Sequence, residues 1–144
     1  MITRSAYQDA QRRAAELLRL TGVALTADEL ARIAVADFGL GELDLTGAQI
    51  LTLLDSSEIA VKLIVLFPGQ TLPEHRHPPL GSFPGKAETL RCELGTVTLY
   101  TEGEPVAHPV ATPPVLRRAR ERQWPCRAQR VTRTSALPVL SAPA

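Results

Sequence analysis

The chain has 144 residues, of which 44% are apolar and 22% charged, with a formal net charge of +1. That length and composition fit one domain with a real core and exclude a chain disordered by composition. Two cysteines in unrelated contexts exclude a disulfide framework and a cysteine zinc site, and no run of apolar residues approaches membrane-spanning length. The start, Met1-Ile-Thr-Arg-Ser5, lacks the apolar core of a signal peptide, so a cytoplasmic protein is expected.

Ser5-Ala-Tyr-Gln8 reads as a capping box that opens a helix running to about Leu20, with Ala10, Ala14, Leu17 and Leu18 as its apolar stripe and Gly22 as its stop. Thr26-Ala-Asp-Glu29 is a second capping box, and Leu25 and Leu30 are spaced for a hydrophobic staple across it. Leu30, Ile33 and Ala34 are then expected to face the core, with Gly39 and Gly41 ending the helical part. Both helices mix charge signs, which favours a packed scaffold over a nucleic-acid face.

From Leu43 the apolar period shortens to two. Ala48 to Leu54 predicts a strand and Asp55-Ser-Ser57 its turn. Ile59, Val61, Leu63, Val65 and Phe67 alternate with Ala60, Lys62, Ile64 and Leu66, the pattern of a strand buried on both faces. Pro68-Gly69 marks a turn, and a strand carrying His75 and His77 follows. A loop from Pro78 to Gly85 leads to a strand opened by Glu88, and Thr96 to Tyr100 forms a further one. Helices first and short strands after predict an α+β chain whose main layer is a double-sheet barrel.

The chemistry is concentrated between Gly69 and Gly95. On a strand, His75 and His77 share a face with about 6.5–7 Å between their backbones. In the next strand Glu88, Leu90, Cys92 and Leu94 share one face, and a carboxylate on an apolar face needs a partner. A metal held by His75, His77 and Glu88 would be one. A solvated loop pair is the plain alternative for the histidines.

These residues also carry a resemblance. Gly69, five residues, His-x-His, then Glu88, six residues and Gly95 resembles the first signature motif of the cupins, with an enlarged loop before the glutamate. Leu72-Pro-Glu-His-Arg-His-Pro-Pro79 and Pro84-Gly-Lys-Ala-Glu-Thr-Leu-Arg-Cys92 resemble the D-lyxose isomerase family of small sugar-isomerase cupins. The resemblance extends through much of the N-terminal region and forward to about Pro114. It implies N-terminal helices followed by a cupin barrel, a double-stranded β-helix or jelly roll, incomplete at its C-terminal end.

The activity implied is aldose–ketose isomerisation of a free sugar, D-lyxose to D-xylulose, with D-mannose to D-fructose as a second reaction. Two imidazoles and a carboxylate suit manganese or a similar divalent ion and leave positions open for sugar oxygens. Glu88 and Lys86 are the implied catalytic residues. Lys86, two before Glu88, is placed to polarise a sugar oxygen or shuttle a proton. Glu74 and Arg76 point away by alternation. Two other readings stay open: an inactive or non-enzymatic metal- or sugar-binding cupin, since the chain lacks the barrel's second half and a further histidine ligand, and a cupin dioxygenase using ferrous iron.

Beyond Pro114 the pattern changes. Residues 1–116 carry nine Lys/Arg against fourteen Asp/Glu, whereas residues 117–144 carry seven Arg against one Glu. The period of two vanishes, so no strand is predicted there, and no histidine follows His108, which is itself a weak substitute ligand. An Arg-rich, Lys-free run mixed with Ala, Pro, Ser and Val is what a shifted reading frame in a GC-rich gene produces; an evolved basic tail is the alternative. The expected division is therefore residues 1–114, helices plus the first part of the barrel, and 115–144, a poorly ordered tail. The partner expected is a small sugar, with neither nucleic acid nor membrane. An incomplete barrel would leave edges that favour a homodimer, and an apolar face around Leu63, Val65, Leu90 and Leu94.

Overall fold

The structure is a computed structural model that describes residues 1–73, 75, 79–82, 88–102 and 129–135. The chain divides into two compact units, Met1–Pro73 and Glu74–Ala144.

In the first unit, α1 spans Arg4–Arg19. Its N-cap is Thr3, whose hydroxyl accepts from the Ala6 amide at 3.2 Å, not Ser5, which lies inside the first turn. Both residues are good caps. Thr3 wins because Ile2, just before it, is partly buried against the core and fixes the entry of the chain two residues earlier than the Ser5 motif suggests. At the other end Leu20 is the C-cap, and Gly22 takes φ 76°, a left-handed conformation that glycine adopts without Cβ strain. The stripe of Ala10, Ala14, Ala15 and Leu18 is buried.

Helix α2, Ala27–Ala31, is a single turn and a half held by its cap. The Thr26 hydroxyl accepts from the Glu29 amide at 3.2 Å while the Glu29 carboxylate accepts from the Thr26 amide at 2.8 Å, so both halves of the expected box form. Leu25 and Leu30 pack against the core beside it. Ile33 is fully buried, but Ala34 is exposed and begins a strand rather than continuing a helical face. The period changes to two here, not at Leu43.

Strand β1 is Ala34–Ala36, β2 is Ala48–Asp55 and β3 is Ala60–Val65. They form an antiparallel sheet in the order β1-β2-β3, with Gln49 opposite both Val35 and Val65 and Leu51 opposite Leu63. Ser56 closes the β2–β3 turn, its hydroxyl accepting from the Ile59 amide and donating to the Ile59 carbonyl. A register shift between Thr52 and Leu54 bends the end of β2.

Helix α1 covers one face of this sheet, and the core is built from Ala10, Ala14, Leu18, Ile33, Val35, Leu51, Val65 and Phe67. The Arg13 guanidinium lies 4.0 Å from the centre of the Phe67 ring, a cation–π contact that ties α1 to the end of the sheet. The expectation of β3 buried on both faces is corrected: Val65 is buried and Leu63 partly so, but Ile64, on the opposite face, and Val61, nearer the hairpin end, are exposed. Likewise Leu63 and Val65 belong to the core and not to an exposed apolar face, whereas Leu90 and Leu94 are exposed.

The second unit contains β4, Thr96–Glu102, paired antiparallel along its whole length with β5, Gln129–Ser135. The first exceeds the expected strand by two residues. The second falls where the loss of period predicted no strand; its β-branched Val131, Thr132 and Thr134 favour extended pairing once a partner edge is offered. The architecture is α+β, as expected, with one three-stranded and one two-stranded sheet among the described residues. No helix among them is long and apolar enough to cross a membrane.

Candidate metal site

The approach to the site begins at the turn after β3. The Gln70 amide donates to the Phe67 carbonyl at 2.9 Å, closing the Pro68-Gly69 turn. Thr71 then makes an isolated parallel bridge with Thr46, its amide donating to Leu45 and its carbonyl accepting from Gly47. This places Thr71, Leu72 and Pro73 partly buried at the edge of the first unit, and His75 follows two residues later.

His75 and Glu88, thirteen residues apart in the chain, come together: the His75 Nε2 and a Glu88 carboxylate oxygen are 4.0 Å apart. Two donors bound to one ion at 2.0–2.2 Å cannot be more than about 4.4 Å from each other, so this separation is compatible with a shared divalent ion. An imidazole and a carboxylate are also the donor types that manganese or iron accepts. The two side chains retain 46% and 38% of their exposure. Glu88 is therefore solvated, and the argument from a carboxylate stranded on an apolar face does not apply; proximity to His75 is the feature that remains. His77 and Lys86, the other expected site residues, lie outside the described residues, as do Glu74, Arg76 and His108. Among the described residues no three His, Cys, Asp or Glu side chains form a cluster.

Two expectations of local structure are corrected here. His75 is not part of a regular strand, and the segment from Glu88 to Leu94 is not one either. A strand needs a paired neighbour to satisfy its backbone, and among the described residues none pairs with this segment. Alternation survives only in part: Arg91 and Glu93, expected on one side, are joined at 3.0 Å. The Cys92 thiol turns back to the Leu94 and Gly95 carbonyls, each at 3.5 Å, so Glu88, Leu90, Cys92 and Leu94 do not make a common apolar face.

The sequence reading passed over Gln70. Its side chain accepts from the Phe67 amide at 2.9 Å and donates to the Leu43 carbonyl at 2.7 Å, and the residue is 8% exposed. The only signal in the sequence is an amide residue directly behind a Pro-Gly turn and five before His75, and such residues are usually solvated.

No protein-family profile matches the chain. Individual proteins do. The chain is 46% identical over 114 residues to a "D-lyxose/D-mannose isomerase" of Thermosediminibacter oceani, covering 79% of this chain and 63% of that one. It is 49% identical over 108 residues to a "D-lyxose ketol-isomerase" of Cohnella laeviribosi, covering 75% and 59%. A "D-lyxose ketol-isomerase" of Thermofilum is 42% identical over 114 residues, covering 79% and 63%.

The chain belongs to the D-lyxose isomerase family.

It spans about three fifths of the length of the curated relatives it matches. A contiguous match of 108 residues within 144 must include residues 37–108, so the family likeness takes in both His75 and Glu88.

Proposed function

We propose that this chain supplies the metal- and sugar-handling part of an aldose–ketose isomerase that converts D-lyxose to D-xylulose and, as a second reaction, D-mannose to D-fructose. The observation that carries the reading is the meeting of His75 and Glu88 at 4.0 Å inside the stretch that the sugar-isomerase relatives share. The names of those relatives support the substrate class.

The reaction requires no oxidant. One proton leaves C2 of the aldose and one arrives at C1, while the hydroxyl proton on O2 is exchanged for one on O1. Negative charge develops on the two oxygens as this happens. His75, His77 and Glu88 would hold a divalent ion, most simply manganese, and that ion, when bound, supplies electrostatic stabilisation of the developing charge. Lys86 and Glu88 carry the proton-handling role. Lys86, two residues before Glu88 in the chain, would polarise a sugar oxygen or shuttle a proton there. His75 and Glu88 both keep part of their side chains in solvent, so a small hydrated sugar could reach them.

The test is a manganese titration of the purified chain, followed by conversion of lyxose to xylulose with manganese added. About one ion per chain is expected, with affinity lowered about tenfold or more in His75→Ala and Glu88→Gln. Equal binding by wild type and His75→Ala, or no binding at all, would refute the metal assignment. Because this chain spans about three fifths of its relatives, weak turnover or none is expected from it; a full-length relative that binds manganese yet does not isomerise lyxose would refute the isomerase assignment.

A further inference from the structure

We draw no further inference here: the strongest candidate, the apolar surface patch that Phe38 (at φ 52°) and Leu40 form on the loop after β1, carries nothing because nothing in the structure shows what covers it.

Discussion

Gln49 should be the position where a substitution strengthens the protein. It sits in β2 directly opposite Val35 and Val65, both buried, and is itself 0% exposed. Neither its amide nitrogen nor its amide oxygen has a hydrogen-bond partner. A buried polar group without a partner costs about 1–3 kcal/mol relative to one that stays in water or is replaced by carbon. Methionine keeps the length and flexibility of glutamine and exchanges the amide for an apolar thioether, so no new cavity is created. Gln49→Met is therefore expected to stabilise the first unit by about 1–3 kcal/mol, and to raise its melting temperature by about 4 °C or more. Leu51, two residues on, is also fully buried on the same face, and Leu51→Ala should cost about 2–5 kcal/mol. Two adjacent core positions thus respond in opposite directions. Urea unfolding followed by circular dichroism at the helical minimum is the assay, since both described helices lie in this unit. A loss of 1 kcal/mol or more in Gln49→Met, at an unchanged denaturant slope, would show that the amide is satisfied in solution and that the reasoning is wrong.

Gly47→Ala should destabilise the first unit by about 1–3 kcal/mol, because its Cβ would fall 2.8 Å from the Ala36 carbonyl oxygen, a backbone atom that cannot move aside cheaply; equal melting of variant and wild type would refute this. Thr26→Ala should cost about 1 kcal/mol by removing the cap of α2, read as a lower urea midpoint. The Glu29 carboxyl is held below its ordinary range chiefly by the hydrogen bond from the Thr26 backbone, with the Thr26 hydroxyl adding to it. A lowered folded-state value means that its contribution is fully present above the ordinary carboxyl range and is lost as pH falls through the folded value. Protection of the α2 amides, taken as exchange relative to the intrinsic rate at each pH, should accordingly fall below about pH 4.5. Unchanged protection across that range would sink the assignment of the box as a stabilising cap.

Much of the first unit was legible in the sequence because its determinants are local. The Thr26 box, the Gly22 stop, the stripe of Ala10, Ala14 and Leu18 and the strand from Ala48 each depend on residues within one or two turns of each other. The family wording around His75 and Glu88 was legible for the same reason, since it is a string of residues and their spacing. What failed depended on neighbours distant in the chain. Thr3 outcompeted Ser5 as a cap although both carry a hydroxyl. Ile64 alternates like a core residue, yet only one face of the sheet has α1 against it, and Val61, on the covered face, lies too near the hairpin end to be buried. Glu88 to Leu94 alternates like a strand, yet a strand exists only where another offers its edge. Gln129–Ser135 shows no such alternation and is a strand because β4 pairs with it.

The sequence by itself determined that helices come first and strands after, the Thr26 box and the Gly22 stop, and the residues that could hold an ion. Only the tertiary structure decided that His75 and Glu88 meet, that Gln49 is buried without a partner, and that Gln70 joins Phe67 to Leu43. Each of these is a relation between segments 13 to 27 residues apart or across a sheet. Side-chain type states what a residue is able to bond to, and the folded chain alone fixes which of those partners comes within reach.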